Sequence, residues 1–201
     1  MMVVVVLIAG LYWLSLPLLT DWFVQFYSLP LLLLLGWVSI KLFVENQQLK
    51  GYAYRDSLTG LYNRRYAEKY IVFLLKNNNY PIGLIYCDIN SLKKINDCHG
   101  HQIGDQQLQL AANILRESCR REDVIVRWGG DEFLVLLPQT SLAEVKEISK
   151  RIIDNCQAAV QNCPVEVAVG YEMVYSQHCG FTQMLRNAEQ AMYRHKARQK
   201  A

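Results

Sequence analysis

Charge is nearly missing from the first 44 residues of this 201-residue sequence, where Asp21 and Lys41 are the only acidic or basic side chains. All the other charged residues follow, so the chain falls into two parts of different character. Thirty-three of the first 44 residues are apolar, which excludes a wholly soluble or disordered chain. A basic segment ahead of the first apolar stretch is also lacking, and a second apolar stretch follows at once, so a cleaved signal peptide is the weaker reading. None of the six cysteines (Cys87, Cys98, Cys119, Cys156, Cys163 and Cys179) forms a CxxC pair, and the chain is not a small secreted domain. Separate reduced thiols are expected rather than a disulfide framework. A strong excess of either charge is absent too: 21 basic against 18 acidic residues leave a net charge of +3, which does not argue for nucleic acid as a partner. No repeat or low-complexity segment stands out after residue 55.

What the first part does have is length. Met2 to Leu19 runs without a charge, and as a helix it would span about 27 Å, close to the hydrocarbon thickness of a bilayer. A second stretch, Phe23 to Val44, includes the run Leu31 to Leu35, with Lys41 near its end where the ammonium can snorkel. Residues 1–44 are therefore expected to be two transmembrane helices in a hairpin that turns at Thr20-Asp21. Trp13, Trp22, Trp37, Tyr12 and Tyr27 are candidate interfacial anchors. Lys41, Lys50, Arg55, Arg64 and Arg65 gather on the C-terminal side, which is expected to face the cytoplasm. Residues 45–55 are polar and are expected to continue outward as a cytoplasmic connecting helix. The bare start Met-Met-Val-Val also fits the tail of a longer multi-span protein.

In the second part, Arg65 to Leu75 has helical character, and Asn77-Asn78-Asn79-Tyr80-Pro81 ends it. Ile82 to Ile89 is an apolar run of strand length that carries Asp88 at its end. Gln102 to Arg116 puts Leu108, Ala111, Ala112 and Leu115 on one helical face. Val124 to Arg127 and Phe133 to Leu137 flank Gly129-Gly130 as the two strands of a hairpin. Ser141 and Glu144 form a capping box that opens a helix. Val165 to Tyr171 is a further strand, and Phe181 to Lys196 the last helix. The order helix, strand, helix, hairpin, helix, strand, helix implies an α/β fold, an α+β sandwich built on one sheet.

Asp88 at a strand end, facing Asp131 and Glu132 at the tip of a neighbouring hairpin, would gather carboxylates that repel one another. A divalent cation relieves that repulsion, and Mg²⁺ binds through one or two carboxylates plus substrate phosphates. On turn chemistry alone the plainer reading is favoured, a Gly-Gly-Asp hairpin with solvated acids.

The rest of the pattern reverses that weighing. The string Arg127-Trp-Gly-Gly-Asp-Glu-Phe133 resembles the signature of the GGDEF family of diguanylate cyclases. Three further blocks agree in order: Asp56-Ser-Leu-Thr-Gly-Leu-Tyr-Asn-Arg-Arg65, then Asp88-Ile-Asn-Ser-Leu-Lys-Lys-Ile-Asn-Asp97 with Gly100-His101 and Gly104-Asp105, and last Ala191-Met-Tyr193 with Lys196. The resemblance covers all of the soluble part and makes residues 56–201 a GGDEF catalytic domain. It implies a central sheet similar to the palm of nucleotidyl cyclases and polymerases, flanked by helices. It implies the condensation of two GTP into cyclic di-GMP and two pyrophosphates by a Mg²⁺-dependent homodimer.

Residue by residue, the resemblance makes Asp88, the Ile89 carbonyl, Asp131 and Glu132 the metal-binding set, with Asp131 also the candidate acceptor of the 3′-hydroxyl proton. A carboxylate near the nucleophile can take that proton, and cations beside the phosphates neutralise developing charge. Lys93 falls at the position that stabilises the transition state; alone it would read as a surface lysine. Asn96 and Asp105 match the guanine-reading positions, where an amide and a carboxylate complement the base edge. His101 matches another substrate contact, and Gly129 and Gly130 let the backbone approach the nucleotide. Lys196 and Lys200 match the phosphate-binding positions. Arg120 and Asp123, the RxxD spaced five residues before Gly129, match the site of inhibition by cyclic di-GMP, with Arg151 as its second arginine. RxxD by itself is usually a surface ion pair of under about 1 kcal/mol, and guanidinium groups suit phosphates and guanine edges.

The sequence departs from the usual family pattern at Asn90, Leu92, His195 and Lys200, where an ammonium replaces a planar fork, and it reaches Ala201 before the closing Asn and short strand that usually follow. The expected protein is a multi-pass enzyme of the bacterial inner (cytoplasmic) membrane with a cytoplasmic catalytic domain. The alternative is a catalytically weak GGDEF domain that binds cyclic di-GMP or GTP without synthesis.

Overall fold

A computed structural model of the chain describes residues 30–43, 45, 53–159, 165–176 and 180–199. The chain divides into two compact units, Met1–Gly51 and Tyr52–Ala201.

In the first unit residues 30–43 form a helix, α1, on which Leu31, Leu32, Leu33, Leu34, Leu35 and Trp37 are exposed. Fourteen residues at 1.5 Å each give about 21 Å. Among the described residues no helix is long and apolar enough to cross a membrane. The expected span Met2 to Leu19, the turn at Thr20-Asp21 and residues 46–52 of the connecting helix lie outside the described residues.

The far end of that connecting helix needs correcting, because Arg55 makes an isolated antiparallel bridge to Tyr62. The cause is a tight turn. Asp56 Oδ1 accepts hydrogen bonds from the Thr59 backbone N–H (2.8 Å) and hydroxyl (2.7 Å), and Gly60 takes φ +67°, where a side chain would be strained. The chain reverses there, so Asn63 N–H reaches the Tyr54 carbonyl.

The second unit runs β1 (Tyr62–Asn63), α2 (Arg64–Lys76), β2 (Ile82–Ile89), α3 (Leu92–His99), α4 (His101–Ser118), β3 (Val124–Arg127), β4 (Glu132–Leu137), α5 (Leu142–Ala158), β5 (Val167–Val174) and α6 (Phe181–Gln199). Asn63 caps α2 by accepting from Tyr66 N–H, and Ala67, Ile71 and Leu74 repeat at helical spacing on its buried face. The Ser141–Glu144 capping box opens α5 as expected.

The five strands make one mixed sheet in the order β1-β3-β4-β2-β5, with β1 parallel to β3 and every other pair antiparallel. β2 is buried along its whole length because both faces are covered. Its period of two sorts the core: Ile85, Cys87 and Ile89 join Phe133 and Val135 under α4 and α5, while Leu84 and Tyr86 join Leu134 and Leu136 under α2 and α6.

The α/β sandwich read from the sequence is therefore observed, with two additions and one shift. α3 was not anticipated, since Leu92 is its only buried residue and one apolar position gives no stripe. β1, two residues long, is too short to show a period. The strand expected over Val165 to Tyr171 runs Val167–Val174, because Met173 and Val174 continue the ladder against Gly83 and Ile82. The described cysteines Cys87, Cys98, Cys119 and Cys156 are free, as expected.

Candidate active site

The central strand β2 ends at the rim of the sheet, and two constraints bring the β3–β4 hairpin tip to that point. The β2–β4 register sets Asp88 opposite Glu132, and Ile89 N–H donates to the Asp131 carbonyl at 3.0 Å. Arg127 fixes the hairpin from the other side. Its guanidinium bonds both carboxylate oxygens of Asp56 (3.1 and 3.2 Å) and the Gly130 carbonyl (2.8 Å from Nη2). Burial pushes the Asp56 carboxyl up, but hydrogen bonds from Thr59 and Arg127 outweigh it and hold the group below its ordinary value. The first and third sequence blocks thus meet through one ion pair that shapes the turn. Arg127 has no assigned role in the sequence reading; the signal was its place in the hairpin string.

Asp88 is 8% exposed and faces α6, where the Lys196 ammonium donates to its Oδ1. Burial raises the Asp88 carboxyl above its usual value, with the charges of Asp131 and Glu132 adding to the rise and Lys196 opposing it. Glu132 reaches back beside the turn, since a Cβ on Gly129 would lie 2.6 Å from its Oε2. Tyr86, on the same face of β2, has its phenol pushed up first by burial and then by Glu132. Lys196, expected at a phosphate, is therefore held at the carboxylate cluster.

Among the described residues no group of three or more His, Cys, Asp or Glu side chains converges as a metal cage. Mg²⁺ takes one or two carboxylates and completes its shell with water and phosphate oxygens. The donors at this rim are hard oxygens, and mutual repulsion there is already met by one cation, Lys196. Asp88, Asp131 and Glu132 thus fit a divalent cation in charge and in chemistry.

Three residues past Asp88 the chain turns through Ser91, a non-glycine at φ +61°, into α3 and then through Gly100 (φ +83°) into α4. This helical hairpin carries Lys93, Asn96, His101 and Asp105. Lys93, His101 and Asp105 are exposed, while the Asn96 Oδ1 is buried without a hydrogen-bond partner among the described residues. Asn96 lies against Gly104, where a Cβ would fall 1.8 Å from that oxygen. A buried acceptor without a donor is costly, and a ligand donor would satisfy it. Gly104, like Gly100, has no role assigned from the sequence. At the hairpin, Gly130 has open space around its Cβ position.

The RxxD pair closes on itself: Arg120 N–H donates to Asp123 Oδ2 at 2.7 Å, and Asp123 N–H to the Arg120 carbonyl at 3.2 Å. The Arg120 guanidinium bonds Glu144 of the α5 capping box, and bonds from Ser141 and Arg120 hold that carboxyl down to about 2. Arg151 from α5 donates to the Ser118 carbonyl at 2.9 Å, and both arginine charges act on the buried Asp123, whose Oδ1 has no hydrogen-bond partner among the described residues. Arg120, Asp123 and Arg151 are thus assembled in one place. Lys200 lies outside the described residues. The departures at Asn90 and His195 have local partners: Asn90 Nδ2 donates to Gln199 Oε1 (2.9 Å), and His195 Nδ1 accepts from Val169 N–H (3.0 Å).

A family model described as diguanylate cyclase, GGDEF domain, matches residues 53–201. The response regulator PleD of Caulobacter vibrioides is 40% identical over 125 residues, which is 61% of this chain and 27% of that protein. The probable diguanylate cyclase DgcC of Escherichia coli is 31% identical over 196 residues, 92% of this chain and 50% of that protein. The chain spans half or less of the length of both curated relatives. The crystal structure of the diguanylate cyclase SiaD from Pseudomonas aeruginosa, in complex with its activator SiaC, aligns with a TM-score of 0.70 and 27% identity, covering 94% of this chain and 76% of that one.

Proposed function

The chain belongs to the GGDEF family, and from that premise we propose that it is a diguanylate cyclase, condensing two GTP into cyclic di-GMP with release of two pyrophosphates. The observation that carries this reading is the backbone bond from Ile89 to Asp131 together with the Asp88–Glu132 register, which bring residues 88, 131 and 132 to one rim of the sheet. Asp88, Asp131 and Glu132, with the Ile89 carbonyl, would hold Mg²⁺. When bound, the ion supplies charge neutralisation on the phosphates.

The chain's own residues do the rest. Asp131 accepts the proton of the attacking 3′-hydroxyl. Lys93 stabilises charge that develops on the transferring phosphate, and Lys196, released from Asp88, and Lys200 bind phosphate oxygens. Asn96 and Asp105 read the guanine edge beside His101, and Gly129 and Gly130 admit the nucleotide close to the backbone. Each site presents one GTP, so two copies must meet as a homodimer. Residues 1–44 anchor the chain in the bacterial inner membrane with the catalytic domain in the cytoplasm, and confinement there raises the encounter rate. The exposed leucines of α1 and the near absence of charge before residue 45 support this anchor.

Incubation of the purified chain with GTP and Mg²⁺, with products separated by chromatography, tests the reading. Cyclic di-GMP and pyrophosphate are expected; GTP binding without turnover would instead favour the nucleotide-binding alternative.

Gly104→Ala should raise the KM for GTP about tenfold with little change in kcat, because displacing Asn96 removes a base contact shared by ground and transition states. The fold should survive, since alanine in a helix gains about 1 kcal/mol over glycine and Asn96 can swing aside. An unchanged KM would remove Asn96 from guanine recognition.

Arg120, Asp123 and Arg151 are proposed to bind cyclic di-GMP as feedback inhibitor, with Arg120 exchanging Glu144 for the ligand. Arg120→Ala should abolish inhibition by added cyclic di-GMP while leaving the initial rate within about twofold, since a solvent-exposed ion pair such as Arg120–Glu144 is screened and contributes little to the fold. Inhibition that persists unchanged would reduce the motif to a surface ion pair.

A further inference from the structure

Two buried stripes run to the carboxylate rim, and they end in charges of opposite sign. On β2 the alternate positions Leu84 and Tyr86 lead to Asp88. On α6 the four-residue spacing of Met184, Ala188 and Met192 leads to Lys196. The two stripes pack on each other, so the Lys196 ammonium arrives at Asp88 Oδ1 and donates to it. Asp131 and Glu132 bring two further carboxyl groups, whose charges act on Asp88 and which form no ion pair among the described residues. One ammonium does not balance three carboxyl groups.

A second cation at this rim meets the first. Two positive charges a few ångströms apart in a half-buried site repel strongly, because water and salt screen them poorly there. A divalent cation that draws on Asp88 therefore competes with Lys196 for the same carboxylate. Of the two side chains the lysine is the one able to yield. Its charge rides on a flexible four-carbon stem, whereas Asp88 is fixed in a strand paired on both sides.

We propose that Lys196 is a resident counter-cation of the carboxylate rim, which a divalent metal ion displaces, so that the lysine turns to the phosphates of the nucleotide only after the metal has bound. The inference rests on the metal-binding part of the reading above and goes beyond it, because it makes metal entry and phosphate grip a single exchange. Metal and nucleotide then bind with positive coupling, each tightening the other by the same factor.

The test is Mn²⁺ binding to the full chain without nucleotide, followed through the electron paramagnetic resonance signal of the free ion. Lys196→Met keeps the apolar stem and removes the charge, and it should bind Mn²⁺ about tenfold more tightly than the parent. Lys196→Arg, whose fork can bond both oxygens of Asp88, should bind it more weakly than the parent. Asp88→Asn added to Lys196→Met should abolish the gain, and melting temperatures check that each variant folds. A second measurement needs no variant. Only 21% of the Lys196 side chain is exposed, so pulse acetylation read by mass spectrometry should modify it several-fold faster with Mg²⁺ than without. The exposed Lys150 on α5 should keep its rate. The proposal fails if Lys196→Met binds Mn²⁺ no more tightly than the parent, or if the gain survives Asp88→Asn. It also fails if Mg²⁺ leaves Lys196 acetylation unchanged, because lysine and metal would then share Asp88. Formation of cyclic di-GMP is a separate readout: an inactive chain that shows the exchange would refute the cyclase reading alone, and an active chain without it would refute the exchange alone.

Discussion

Asp131→Asn should lower the rate of cyclic di-GMP formation by at least about a hundredfold, the scale of a lost general base, while leaving the fold intact. The substitution keeps size and shape and removes only the charge and the proton-accepting oxygen. The structural contribution of residue 131 is its backbone carbonyl, which accepts from Ile89 N–H, and an asparagine retains it. Glycine and aspartate are also interchangeable with asparagine in such turns, so the hairpin geometry has no reason to change. Loss of one negative charge should relieve part of the upward push on Asp88, whose Lys196 contact remains. Circular dichroism and the melting temperature should therefore match the parent, and chromatography of the products should not. Turnover within a few-fold of the parent would show that Asp131 neither takes the proton nor binds the cation, and would return the hairpin to the plain reading of a Gly-Gly-Asp turn.

The fold was legible where periodicity was strong. Strand β2 announced itself as an unbroken apolar run because α-helices cover both its faces, and α4 through Leu108, Ala111, Ala112 and Leu115 on one face. It was illegible where an element is held by its neighbours rather than by its own stripe. α3 buries only Leu92 and exists because the turn at Ser91 and the packing of Asn96 on Gly104 give it a place. The site was legible as residue types but not as couplings. That Asp88, Asp131 and Glu132 belong together follows from their positions in two blocks. Nothing in the spacing says that Arg127 joins Asp56 to the Gly130 carbonyl, or that Lys196 turns to Asp88, because both contacts depend on long-range register. The same holds for His195 and Asn90, which look like departures in one dimension and act as partners of Val169 and Gln199 in three.

Gly170→Ala should be the most damaging single methyl in the domain. Gly170 sits on β5 where α6 crosses it: an added Cβ would lie 2.1 Å from the Met192 nitrogen, 2.3 Å from the Ala188 oxygen and 2.7 Å from the Ala191 carbonyl carbon. These are backbone atoms, so no rotamer change relieves the clash, and the whole helix must move outward. Overpacking that side chains can absorb costs about 1–3 kcal/mol. A helix displaced from the Met184, Ala188 and Met192 face also loses packing, which puts the expected cost at about 3 kcal/mol or more. Movement of α6 would carry Lys196 from Asp88 and His195 from Val169, so the active rim and the sheet edge should loosen together. Gly130→Ala is the control, since nothing lies within 4 Å of its Cβ position. In urea unfolding the Gly130 variant should keep the parent midpoint, although close approach of the nucleotide predicts a lower rate, whereas the Gly170 variant should unfold at clearly lower urea. Equal midpoints for Gly170→Ala and the parent would mean that α6 does not press on β5 in solution, and the placement of Lys196 at the carboxylate rim would fall with it.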